Sequence, residues 1–119
     1  MNILEVVNLE KNFGGVKAVD KISFHGEEGK TLGIIGPNGA GKTTVFNLIT
    51  GLYRPDGGKI RFYDRDITNL NPFKLSHLGI SRTFQNMRLF KNLTVFENVK
   101  CAALAVKGYN PISAVFRTN

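Results

Sequence analysis

Hydrophobic and polar positions change period several times along the chain, and the changes predict its elements. Ile3 to Leu9 and Lys17 to His25 are β-like; in the second, Ile22 and Phe24 alternate with Ser23 and His25, the period of a half-buried strand. Glu27-Glu28-Gly29-Lys30 reads as a turn. Thr31 to Ile35 is an apolar run (Leu32, Ile34, Ile35) without clean alternation, which predicts a strand covered on both faces in a parallel sheet. A glycine-rich loop follows. Beyond it Val45, Leu48, Ile49 and Leu52 stand at i, i+3, i+4 and i+7, the stripe of a helix laid against a sheet.

The second half is punctuated by turn and cap signals. Arg54-Pro55-Asp56-Gly57-Gly58 predicts a sharp turn, and a strand with Ile60 and Phe62 on one face follows it. Asn71 can cap a short helix with Pro72 in its first position and Gly79 at its end, after which Ile80 to Phe84 reads as extended. Gln85 to Leu93 is irregular. Thr94 with Glu97 three residues on is a capping box, opening a helix striped by Val95, Val99, Ala102, Ala103 and Val106 and closed by Gly108 and Pro111.

The loop between the run at Thr31 and the helix at Val45 carries the chemistry. Gly36-Pro37-Asn38-Gly39-Ala40-Gly41-Lys42-Thr43 fits the phosphate-binding pattern of Gly, four residues and Gly-Lys-Ser/Thr, in the strand-to-helix context that pattern requires. Glycines let backbone N–H groups turn inward around a phosphate, and the helix start adds unpaired donors and a positive dipole end. Lys42 can reach between β- and γ-phosphates; the Thr43 hydroxyl can take one position on Mg²⁺. A chance match of the fixed positions is expected in on the order of one chain of this size in several hundred.

Composition narrows the remaining choices. One domain's worth of chain, 119 residues with 42% hydrophobic and 21% charged, can pack a core. The net charge of +7 favours acidic partners without choosing among them, and the scattered basic residues argue for solvated faces over a nucleic-acid groove. A lone Cys101 forms no intramolecular disulfide and needs no role beyond packing, and no apolar run reaches the roughly 20 residues of a membrane span. The cytosol is the expected compartment. Asp64 and Asp66 read as a polar turn rather than a metal pair, and His25 and His77 as structural or solvent-facing.

Gly36 to Thr44, preceded by Phe13-Gly-Gly-Val-Lys-Ala-Val-Asp20 and followed by Arg82-Thr-Phe-Gln-Asn86, resembles the ATPase subunit of ABC transporters. Phe13-Gly14-Gly15, Arg82-Thr-Phe-Gln85 and the stretch Arg88-Leu-Phe90 to Leu93-Thr-Val-Phe-Glu-Asn-Val99 are similar to branched-chain amino acid importer subunits of the LivG type. The resemblance implies an α/β P-loop nucleoside triphosphate hydrolase fold. Residues 1–85 would hold an antiparallel β region and the phosphate loop, and residues 86–119 would begin a helical subdomain. It implies ATP and Mg²⁺ as cofactors, with Phe13, Gly36, Pro37, Asn38, Gly39, Ala40, Gly41, Lys42, Thr43 and Thr44 on the nucleotide, Thr43 and Gln85 at the metal, and Lys42 and Gln85 in catalysis. Phe13 would stack on adenine, as aromatic rings do without sequence preference.

The implied partners are transmembrane permease subunits and a second ATPase subunit, identical or paralogous, with no nucleic acid, on the inner face of the cell membrane. The family's apolar run ending in Asp-Glu and its Leu-Ser-Gly-Gly-Gln signature do not occur in these residues, and His77 precedes Gln85, so it is not the family's switch histidine. The expectation is therefore the N-terminal half of such a subunit, inactive alone. The alternatives are an ABC subunit for another substrate and a nucleotide-binding module without turnover.

Overall fold

The computed structural model describes residues 1–84, 86 and 89–106. The chain divides into two units, Met1–Ile80 and one that starts at Ser81.

In the first unit, β1 (Asn2–Phe13) and β2 (Val16–Glu27) form a long antiparallel hairpin closed at Gly14-Gly15, where Phe13 pairs with Val16. β3 (Gly57–Phe62) lies on the other side of β1, and the short β4 (Arg65–Asp66) pairs with β3, giving the order β2-β1-β3-β4, antiparallel throughout. Tyr63 and Asp64, at φ 46° and 61°, make the tight two-residue turn between β3 and β4, because left-handed residues match the twist of a hairpin. The expected polar turn is there. Asp66 beyond it accepts hydrogen bonds from the hydroxyl and backbone N–H of Thr68, which hold its carboxyl below the usual range.

The sheet is creased where β1 would otherwise misplace its core residues. Val6 and Leu9 are three apart, so on a regular strand they would point to opposite faces, yet both are buried. Register shifts between Val6 and Leu9 against β2, and between Val7 and Glu10 against β3, restore the phase. Asn8 takes φ 48° at that point, with its N–H bonded to Ser23 Oγ at 2.8 Å.

On this sheet sit α1 (Lys42–Ile49) and α2 (Pro72–His77). Val45 and Leu48 of α1 and Leu75 of α2 meet Val6, Leu9, Val19, Ile60 and Ile67 in one apolar cluster, with Ile49 partly buried beside it. α1 is one turn shorter than its stripe. The Gly51 N–H bonds Leu48 O and the Leu52 N–H bonds Asn47 O, the paired bonds of a Schellman cap, so Leu52 falls outside the helix and is half exposed. α2 is capped as expected, Asn71 Oδ1 accepting from the Lys74 N–H at 2.9 Å.

Two expected strands are not formed. Residues 31–37 carry no regular secondary structure, and Ile35 is 95% exposed where a strand covered on both faces was expected. The physical reason is pairing: a strand exists by its ladder, and no described strand forms one with Thr31 to Ile35. Residues 80–84 likewise carry no regular secondary structure.

In the second unit, α3 (Val95–Val106) starts at the expected capping box: Thr94 N–H donates to Glu97 Oε2 at 2.7 Å and Glu97 N–H to Thr94 Oγ1 at 3.2 Å. Asn98 reinforces the entry, its amide nitrogen donating to the carbonyls of Phe90, Leu93 and Thr94. Val95, Phe96 and Val99 are exposed, and Cys101 is exposed too, so its expected packing role is not borne out. An exposed thiol packs into no core among the described residues. Gly108 and Pro111 lie outside the described residues.

The Thr94 N–H, then its hydroxyl, hold the Glu97 carboxyl below its usual value of 4.5. A depressed carboxyl stabilises the fold above its unfolded pKa, and that contribution is lost as pH falls through the folded value. The protection of the amides at residues 94–98, measured against their intrinsic exchange rates, should therefore fall on acidification below about pH 4.5. Glu97→Gln should exchange faster at neutral pH and lose most of that acid response; an unchanged acid response in the variant would contradict the cap.

Candidate functional site

The glycine-rich loop is built between an unpaired segment and a helix start. The Ala40 N–H donates to Pro37 O at 3.1 Å, closing a turn inside the loop, and Gly41 is the N-cap of α1 at φ 90°. No side chain caps that terminus, so the first N–H groups of α1 are left for a ligand or water. Lys42 folds back over the loop, its ammonium hydrogen-bonded to the carbonyl oxygens of Gly36 and Pro37. Both acceptors belong to the loop that the lysine closes. Pro37, Asn38, Gly39, Ala40 and Thr43 are exposed and Thr44 is half-buried. At Gly36 a Cβ would lie 3.2 Å from that of Ala40, so a side chain there would crowd the closed loop.

Gly41 ties the loop to the sheet. A Cβ at this position would collide with the backbone carbonyl of Ala18 in β2, with Val19 Cγ2 at 3.8 Å beyond it. Ala18 lies two residues along β2 from Val16, the partner of Phe13, a distance of about 7 Å at strand rise. The hairpin tip with Phe13 and the phosphate loop are thus held on one contact. Phe13 is 44% exposed and meets the Tyr53 ring edge to face, centroids 5.3 Å apart and planes at 72°.

Sequence reasoning left out the groups around Phe13. Lys11 Nζ stands 5.4 Å from the ring centroid and pairs with Asp56 Oδ1 at 3.3 Å; Asp56 Oδ2 accepts the Asn12 N–H at 2.7 Å. That amide bond first, and Lys11 second, hold the Asp56 carboxyl below its usual value. The only signal was the turn string around Pro55, which reports a bend and not what it touches. Gln85, assigned by resemblance to metal and catalysis, lies outside the described residues. His25 and His77 are exposed, His77 Nδ1 lying 2.8 Å from Phe73 O, and no group of three or more metal-ligating side chains occurs among the described residues.

A glycine loop feeding an uncapped helix, with its lysine folded across the mouth, is the local architecture of the P-loop class. The ABC transporter family profile matches residues 19–117, and the chain belongs to that family. It is 46% identical over 98% of its length to the "High-affinity branched-chain amino acid transport ATP-binding protein BraF" of Pseudomonas aeruginosa, covering 46% of that protein. It is also 46% identical over 92% of its length to the "Probable branched-chain amino acid transport ATP-binding protein LivG" of Archaeoglobus fulgidus, covering 41%. Among solved structures, the ADP conformation of an ATP-binding cassette of an ABC transporter is similar at 41% identity and TM-score 0.80, the match covering all of this chain and 46% of that one. The chain thus spans a little under half the length of these relatives.

Gly39 and Gly41 separate two costs of a side chain in the loop. Both take positive φ, but a Cβ on Gly39 meets nothing within 4 Å, whereas one on Gly41 strikes Ala18. Gly39→Ala should cost about 1–2 kcal/mol from backbone conformation alone. Gly41→Ala should cost clearly more in thermal unfolding, and equal losses would refute the Gly41 contact as the junction.

Proposed function

We propose that this chain is the nucleotide-binding part of the ATP-binding subunit of an ABC importer that powers uptake of branched-chain amino acids. The observation that carries the reading is the phosphate loop with Lys42 lying across it. The names of the BraF and LivG relatives support the transported substrate.

The loop N–H groups and the uncapped start of α1 bind the β- and γ-phosphates, and Lys42 exchanges the carbonyls of Gly36 and Pro37 for phosphate oxygens. A neutral carbonyl is a weaker partner for an ammonium than an anionic oxygen, so that exchange favours the bound state. Thr43, exposed in the first turn of α1, suits a Mg²⁺ that takes one protein hydroxyl and completes its shell with phosphate oxygens and water. Magnesium when bound neutralises charge on the phosphoryl oxygens. Phe13 offers its exposed ring to the base. Gln85 is assigned to the metal or the attacking water from the resemblance, as are Asn38, Ala40 and Thr44 to the phosphates.

In the assembled transporter the partners are permease subunits and a second ATPase subunit, with the residues from 86 onward against the permease on the cytoplasmic side. No helix among the described residues is long and apolar enough to cross a membrane.

Calorimetric titration tests the assignment of roles. MgATP should bind more tightly than AMP, because Lys42, Thr43 and the loop amides all address the distal phosphates. Lys42→Ala should weaken MgATP about ten- to a hundredfold, the worth of a charge-assisted hydrogen bond, while adenosine binding stays unchanged. Equal affinity for ATP and AMP would overturn it.

A further inference from the structure

Phe13 stands at a hairpin tip, where a side chain is ordinarily free to swing. Its surroundings prevent that. Tyr53 meets the ring at 5.3 Å, and the backbone N–H of Tyr53 donates to Asn47 O at 3.1 Å, in the last turns of α1. The turn that follows is stitched to β1 at three points: Asp56 N–H to Glu10 O at 2.9 Å, Asn12 N–H to Asp56 Oδ2 at 2.7 Å, and Lys11 Nζ to Asp56 Oδ1 at 3.3 Å. The same Lys11 ammonium sits over the Phe13 ring, and its side chain is only 16% exposed.

We propose that Tyr53 and Asp56 are positioning residues for the nucleotide base, locking the Phe13 ring to the far end of the helix that begins at the phosphate loop; this rests on the nucleotide reading above. Two routes then join ring and loop. One runs from Gly41 through Ala18 and Val16 to Phe13, the other from Lys42 along α1 through Asn47 and Tyr53 to Phe13. With both in place the span from ring to loop is constant, so a ligand holding a base and a triphosphate engages both ends without ordering either anew.

Simple apolar packing is a poorer account of the pair. Phe13 and Tyr53 are 44% and 41% exposed and neither belongs to the apolar cluster, so their contact buries little. What the contact restricts is the orientation of a ring that remains open to a ligand. Asp56 acts through Lys11, since a carboxylate that holds the ammonium in place also keeps it on the ring, where its charge is attracted to the π-face.

The test compares a ligand with a base to one without, in the full-length protein. Affinities for MgATP and for magnesium tripolyphosphate would be measured for the wild type, Tyr53→Ala, Tyr53→Phe, Asp56→Asn and Phe13→Ala, with thermal melts to confirm folding. Tyr53→Ala should weaken MgATP about three- to tenfold, as the loss of one aromatic pair implies, and leave tripolyphosphate unchanged. Tyr53→Phe should bind MgATP within about twofold of wild type, because it keeps the ring. Asp56→Asn retains an acceptor for the Asn12 amide but loses the charge on Lys11, so it should lose MgATP selectively and by less. The proposal is overturned if Tyr53→Ala and Asp56→Asn bind MgATP as the wild type does, or lose both ligands in equal proportion. Failure of the underlying reading is distinct: a wild type that binds neither ligand, or a Phe13→Ala variant with full MgATP affinity, removes the nucleotide or base assignment and the proposal with it.

Discussion

Everything at the site depends on one close approach of backbone to backbone, Gly41 against the carbonyl of Ala18. It sets where α1 begins, since Gly41 is the N-cap of that helix, and so where the uncapped N–H groups point. It also joins the glycine loop to the strand whose start pairs with Phe13. A helix start presents its donors whatever it rests on, but a ligand longer than a phosphate needs those donors at a defined distance from its other end. That distance comes from the seat on β2.

The sheet can serve as that seat because its phase is corrected. Without the irregularity at Asn8, Val6 or Leu9 would face solvent, and the cluster that receives Val45 and Leu48 would lose a wall. The irregularity places a non-glycine residue at positive φ, a conformation Asn tolerates better than most residues. A bond from the Asn8 N–H to Ser23 Oγ replaces a regular ladder bond. Core and site are thus coupled: the apolar face that buries α1 also fixes the direction in which the hairpin tip leaves the sheet.

Electrostatics plays a local part here. No polar or charged residue is buried among those described, and the ion pairs lie at or near the surface, where solvent screening leaves each worth little. Lys11 with Asp56 differs in geometry more than in strength. Its carboxylate serves a backbone N–H and an ammonium at once, so it defines the path of the turn between α1 and β3.

Residues a few positions apart could be read directly from the chain. The capping box at Thr94 and Glu97, the Asn71 cap, the alternation of Ile22 and Phe24, and the Gly36 to Thr43 loop all formed where the sequence placed them, because each interaction closes within a turn or two of chain. The resemblance carried by the motifs also sufficed for family membership. The two expected strands beginning at Thr31 and Ile80 illustrate the limit: apolar character is a property of the segment, but a strand needs a ladder, and neither segment joins the described sheet. Leu52 fits a helical stripe by spacing, yet the Gly51 cap ends the helix before it, since the backbone bonds to Asn47 and Leu48 outweigh one more apolar position. The contacts of Phe13 with Tyr53 and of Lys11 with Asp56 span 40 and 45 residues. They depend on the register of β1 against β2 and β3 and on the irregularity at Asn8. Only the folded sheet decides them, because a contact between distant residues is the sum of every register and bend between its ends.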